Sequence, residues 1–253
     1  MSIVRERRDQ VEIIRMNRPE AKNAINDEVA HGIEEALDGV EHDSAVRVVV
    51  LTGTGDVFSA GADLKMVAAG DSRGFVTERG GFAGIVTRDF PKPIIAAVNG
   101  TAVAGGFEIA LACDLIVAAD IAWFGLFEVK RGLFAGGGGL IRLPRRVPLA
   151  LAMELAIVGT TIDAARAYSV GLVNRVVPVA EVVDTAVGLA NEIAANSPLA
   201  VRNTRQMVRE AGDLTEEEGW KRSAELSREV YASPDSVEGA RAFAEKRAPV
   251  WQT

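Results

Sequence analysis

Two residues of this chain have the type and setting to do acid–base chemistry: Glu108 and Glu128, each a carboxylate embedded in apolar sequence. Glu108 stands in Gly105-Gly106-Phe107-Glu108-Ile109-Ala110, just after a glycine pair that follows the apolar run Ile94 to Val98. Glycines beyond a buried strand let backbone approach a ligand, and they leave unbonded N–H groups where a helix starts. A carboxylate in the first turn of a helix is also what the helix dipole favours, so capping explains Glu108 equally well at this point. Glu128 follows Trp123, Phe124, Leu126 and Phe127, an apolar wall in which desolvation raises a carboxyl pKa. A solvated surface glutamate is the plain alternative.

A second glycine loop runs from Gly53 to Met66 and enters a helix near Asp63. If the strand before it and the strand Ile94 to Val98 end side by side in a parallel sheet, N–H groups from the Ala60-to-Asp63 loop and from Gly105-Gly106 form an oxyanion hole. The chain carries no Gly-x-Ser-x-Gly nucleophile elbow, and the Gly53 loop matches neither a P-loop nor a Gly-x-Gly-x-x-Gly fingerprint. One cysteine, Cys113, and two histidines, His31 and His42, give little basis for a disulfide or a metal centre. Two carboxylates and backbone donors point to enolate chemistry by general acid and base.

The elements that must position these residues follow from periodicity. Val11–Met16 reads as a strand closed by Asn17-Arg18-Pro19, Asp27–Val40 as an amphipathic helix through Val29, Ile33, Leu37 and Val40, and Val46–Thr52 as the next strand. Residues 69–84 are expected to form a mobile helical flap. Leu115–Ala119 and Trp123–Gly125 are further strands. The tetraglycine Gly136–Gly139 suits a helix N-terminus whose N–H groups face a ligand or a packed partner, with a flexible loop as the alternative. Leu149–Val158 reads as an apolar helix and Leu172–Pro178 as a last strand. From Glu181 onward the pattern is helical, broken at Ser197-Pro198, Gly212-Asp213 and Ser233-Pro234. Alternating strands and helices with a helical end predict an α/β core and a C-terminal helical appendage, without internal repeat in the sequence.

The 253 residues are 48% hydrophobic and 25% charged, ordinary for a globular protein, and the formal charge of −7 argues against a broad nucleic-acid footprint. Charges or glycines interrupt every apolar run before membrane-spanning length, and residues 1–8 lack an apolar signal core, so a cytoplasmic protein with no membrane partner is expected.

Phe58-Ser59-Ala60-Gly61-Ala62-Asp63-Leu64, Asn99-Gly100 with Gly105-Gly106-Phe107-Glu108, Cys113-Asp114, and Phe124-Gly125 with Glu128 together resemble the crotonase (enoyl-CoA hydratase/isomerase) superfamily. Asn17-Arg18-Pro19, Lys22-Asn23-Ala24, Gly171-Leu172-Val173 and the tail Ala242–Arg247 extend the likeness over nearly the whole chain. The resemblance implies an α/β spiral of repeated β-β-α turns over residues 1–195, with a helical trimerisation region over 196–253. It also implies assembly as a homotrimer or a dimer of trimers. It assigns the oxyanion hole to the N–H groups of Ala62 and Gly105, water activation to Glu108, and proton exchange at the α-carbon to Glu128. Contacts to coenzyme A or substrate fall on Lys22, Ala24, Ala60, Asp63, Leu64, Gly106, Phe127 and Lys246, and Lys65 is a further cation for CoA phosphates. No cofactor is implied, since coenzyme A is part of the acyl-CoA substrate. Ala104 stands where many hydratases have the first glycine of a triple. Both glutamates together favour enoyl-CoA hydration. Double-bond isomerisation, and a scaffold that binds acyl-CoA or RNA without turnover, are the alternatives.

Overall fold

The computed structural model describes residues 1–70 and 74–252. The chain separates into two compact units, Met1–Ala190 and Asn191–Thr253. In the first unit, β1 (Ile3–Arg8) and β2 (Val11–Met16) form an antiparallel pair, and α1 (Asp27–Glu41) follows. The Asn26 side chain caps α1 by accepting the Val29 N–H at 3.0 Å. Val29, Ile33, Leu37 and Val40 form its buried face, as the spacing predicts.

The chain then makes the same excursion three times. β3 (Val48–Gly53) leads to β4 (Val57–Ser59) and α2 (Leu64–Ala68). After a two-stranded hairpin, β5 (Val76–Thr77) with β6 (Gly81–Phe82), β7 (Ile94–Val98) leads to β8 (Thr101–Val103) and α3 (Gly105–Ala112). β9 (Leu115–Ala119) leads to β10 (Trp123–Gly125) and, through the glycine loop, to α4 (Gly139–Arg142). α5 (Leu149–Met153), β11 (Thr161–Asp163), α6 (Ala164–Ser169) and β12 (Arg175–Val177) follow. The first strand of each excursion joins a six-stranded sheet ordered β1-β2-β3-β7-β9-β12, and the second joins a four-stranded sheet ordered β11-β10-β8-β4. β3, β7 and β9 run parallel, so their loops leave at one edge. Every residue of β3 and β7 is buried, which is why both read as continuous apolar runs without alternation.

Residues 69–84 depart from expectation. Residues 71–73 lie outside the described set, and the rest contains the hairpin, with Val76 paired to Phe82 and Thr77 to Gly81, where a helix was expected. The cause lies far away in sequence. Glu34, Asp38 and Glu41 share one face of α1, and Glu34 Oε2 accepts the Gly80 N–H at 2.8 Å and the Thr77 hydroxyl at 2.5 Å. Arg79 pairs with Asp38 and Glu41, and so does Arg88, whose side chain is 1% exposed. Burial alone would push the Glu41 carboxyl up, yet the two arginines hold it below the ordinary value. Arg88→Ala is therefore expected to cost about 2 kcal/mol, because it removes charge-assisted hydrogen bonds to Asp38 and to the mostly buried Glu41 while Arg79 still pairs with both. Denaturant unfolding checks this, and a cost below about 1 kcal/mol would contradict it.

Other differences are local. The helix expected over Leu149–Val158 is α5 followed by a wider π turn, Glu154–Val158, ended by left-handed Gly159. Sequence reading missed β1, β4, β8 and β11, of which the last three are only three residues long. α7 (Val182–Ala194) carries the chain across the division between the two units. α8 (Pro198–Glu210), α9 (Glu216–Ala232) and α10 (Pro234–Glu245) build the second unit, and its breaks fall where the sequence placed them. Ser197 caps α8, and Thr215 with Glu218 forms a capping box on α9. Among the described residues, no helix is long and apolar enough to cross a membrane.

Candidate active site

All eight residues of α3 are buried, so Glu108 is a charged group on a helix that faces core on every side. Its carboxylate does not cap its own helix. Glu108 Oε1 accepts the N–H of Gly139 at 2.8 Å, from the N-terminus of α4, so the tetraglycine turns its donors to a packed partner. The fit is close: a Cβ on Gly137 would lie 2.7 Å from Glu108 Oε2, and one on Gly139 would lie 3.0 Å from Oε1. Burial pushes the Glu108 pKa up to about 7, with the nearby Glu128 charge adding to the rise; the loop's N–H donors and Arg142 oppose it.

Glu128 opens a single helical turn after β10 and is half-buried. Its pKa is also raised, first by desolvation, as the apolar wall predicts. Its Oε2 is buried without a hydrogen-bond partner among the described residues. A buried carboxylate oxygen with nothing to accept from is unfavourable unless a ligand or water supplies the donor.

Both glutamates line one cavity of about 920 Å³. Ala62 and Gly105 line it too. Ala62 bridges Ile25 in parallel: Gly61 O accepts the Ile25 N–H at 2.8 Å, and Asp63 N–H donates to Ile25 O at 2.9 Å. That register turns the Ala62 N–H away from Ile25. Gly105 is the first residue of α3, where a backbone N–H has no acceptor within its own helix. Among the described residues, neither N–H finds an acceptor. The two loops touch at Gly61, whose φ is +86° and whose Cβ, if it had one, would sit 2.6 Å from Gly105 N. On the other side the hairpin brings the Phe82 ring against Gly105, at 2.5 Å from a Cβ placed there.

Of the other residues expected to meet coenzyme A or substrate, Lys22, Ala24, Ala60, Leu64 and Phe127 line the cavity. Asp63, Gly106 and Lys65 do not line it. The Asp63 carboxylate is bound to Arg18 at 2.8 Å and caps α2 through Lys65 N–H, and Arg18 holds its pKa below the ordinary value. Gly106 packs on β4, where a Cβ would lie 2.1 Å from Ser59 O, so its absent side chain serves packing. Lys246 lies in the C-terminal unit, at the left-handed end of α10. Sequence reading missed the hairpin wall of Phe75, Val76 and Phe82, and it also missed Arg131.

Ala104 holds φ +50°, ψ −130°, a conformation that suits glycine and strains alanine. Its strain sets the turn from which Gly105 starts α3. Ala104→Gly is expected to stabilise the fold by about 1 kcal/mol, the relief of strain exceeding the entropic cost of glycine. Thermal unfolding checks it, and a loss of stability would contradict it.

Repeated β-β-α excursions in two layers, with buried Glu108 and half-buried Glu128 lining one cavity beside Ala62 and Gly105, fit a crotonase-type chain. The comparisons agree: the family model described as enoyl-CoA hydratase/isomerase matches residues 6–253, and the chain belongs to that family. It is 42% identical over 248 residues to the carnitinyl-CoA dehydratase of Proteus mirabilis, covering 96% of this chain and 94% of that one. It is 41% identical over 253 residues to the enoyl-CoA hydratase EchA19 of Mycobacterium tuberculosis, covering 98% and 95%. A crystal structure of an enoyl-CoA hydratase from Mycobacterium tuberculosis superposes with a TM-score of 0.95 at 46% identity, covering 99% of this chain and 98% of that one.

Proposed function

We propose that the protein adds water reversibly to a 2-enoyl-CoA to give a 3-hydroxyacyl-CoA. The observation that carries this reading is that two desolvated carboxylates, Glu108 and Glu128, line one cavity with Ala62 and Gly105, whose N–H groups find no acceptor among the described residues. In hydration the thioester oxygen gains negative charge, which the two N–H donors stabilise. Glu108 takes a proton from water as it attacks the β-carbon, and Glu128 delivers one to the α-carbon. Dehydration reverses each step, so either direction needs one proton shared by the pair. Isomerisation needs a proton moved between carbons and no water, and it gives no role to a second carboxylate beside the first.

Relatives named for hydration and for dehydration of CoA esters both fit one reversible reaction, which leaves the acyl group open. The apolar cavity wall, with Phe75, Phe82, Phe127 and Phe134, supports an apolar acyl group. Mass spectrometry after incubating a 2-enoyl-CoA in heavy-oxygen water tests the reading. Label retained in a 3-hydroxyacyl product supports hydration; an unlabelled shifted alkene supports isomerisation, and an unchanged acyl-CoA supports a binding scaffold.

A further inference from the structure

We propose that Arg142 is a positioning residue for Glu108, clamping the Gly136–Gly139 loop to the Val86 segment so that the loop's N–H donors stay on the Glu108 carboxylate. The inference rests on the reading of Glu108 as one member of the acid–base pair. Arg142 closes α4, the short helix that the glycine loop enters. Its Nη1 donates to Gly137 O at 3.3 Å, and its Nη2 donates to Val86 O. Val86 and Gly137 both line the cavity, so one guanidinium ties together two of its walls.

The loop is shaped around this side chain. Gly138 has φ +95°, and a Cβ there would lie 2.1 Å from Arg142 Nη1. The guanidinium therefore occupies the space where a Gly138 side chain would be, while Gly137 and Gly139 on either side rest against Glu108. A planar fork with several donors can hold two carbonyls in fixed directions, which a lysine ammonium does less well.

Position and charge act on Glu108 together. Among the described residues, the charged groups that act on it are Glu128, from the turn after β10, and Arg142, from α4. Lys22 and Arg131 also line the cavity, and Arg131 acts on Glu128. Glu128 raises the Glu108 pKa, while Arg142 and the loop N–H groups lower it. Losing the clamp removes one lowering influence directly and loosens the others, so Glu108 should hold its proton to higher pH.

The test compares pH profiles of kcat/KM for hydration of a 2-enoyl-CoA in the parent, Arg142→Met, Arg142→Lys and Gly138→Ala. Arg142→Met is expected to lower kcat about 10- to 100-fold with little change in KM. It should also move the Glu108 limb up by about one pH unit. Arg142→Lys should restore the limb and only part of kcat. Gly138→Ala, which displaces the guanidinium without deleting it, should shift the limb in the same direction and keeps the test alive if Arg142→Met does not fold. A hydrating parent whose limb stays in place in the folded variants overturns the inference alone. A parent that adds no water to any enoyl-CoA overturns the functional reading and this inference with it.

Discussion

Glu108→Gln is expected to lower kcat for enoyl-CoA hydration by about 10²- to 10⁴-fold, the usual contribution of a positioned acid or base, and at the same time to make the folded chain more stable. The two effects have one cause. Burial raises the Glu108 pKa from 4.5 to about 7, so the folded state resists its ionisation. A raised carboxyl pKa contributes stability that is fully present below the unfolded value and lost as pH rises through the folded one. Here that window runs from 4.5 to about 7, and the loss amounts to roughly 3 kcal/mol once both values are exceeded. Glutamine stays neutral and keeps an oxygen to accept the Gly139 N–H. Its stability gain should therefore reach up to about 3 kcal/mol near pH 8 and shrink toward pH 5. Denaturant titration at the two pH values, beside steady-state kinetics, checks both halves. A variant that is less stable near pH 8, or one that turns over at the parent rate, contradicts the assignment.

Gly61→Ala should be nearly as damaging without touching either carboxylate. The added methyl would lie 2.6 Å from Gly105 N, on the donor that the mechanism aims at the thioester oxygen. Loss of one such donor typically costs about 10²- to 10³-fold in kcat. The +86° φ of Gly61 adds a stability cost of about 1–3 kcal/mol. Circular dichroism and acyl-CoA binding separate misfolding from a blocked hole. A folded Gly61→Ala protein with the parent kcat would remove the loop contact from the mechanism.

Much of this site was legible in sequence because its parts are local. A glycine pair after an apolar run placed Glu108 at a helix start, and four apolar neighbours before Glu128 anticipated its desolvation. What could not be read was contact across the fold. Capping and catalysis were equal readings of Glu108 from its neighbours alone, and only the resemblance favoured the second; that the carboxylate leaves its own helix to accept from Gly139, 31 residues away, could not be read from sequence. Asp63 looked like a ligand contact through its place in a motif, yet it is bound to Arg18, 45 residues earlier. The hairpin over residues 76–82 carries too few residues for a strand period, and α1 supplies the carboxylates that hold it. β4 and β8 are likewise too short to show alternation, so the repeated β-β-α turns came from resemblance and not from periodicity. Arg142 gave no local signal, since a single arginine after a glycine run is unremarkable until its two carbonyl partners are in view.

The pH dependence of kcat/KM, measured for hydration and for dehydration on the same parent enzyme, tests the shared proton most directly. Glu128 raises the pKa of Glu108, so the two titrate as a coupled pair that loses its last proton at about 7. Both directions should then show the same bell, with a common fall above about pH 7 and a second fall in acid as Glu128 also becomes protonated. A rate that keeps rising to about pH 9 would contradict a single proton shared by Glu108 and Glu128.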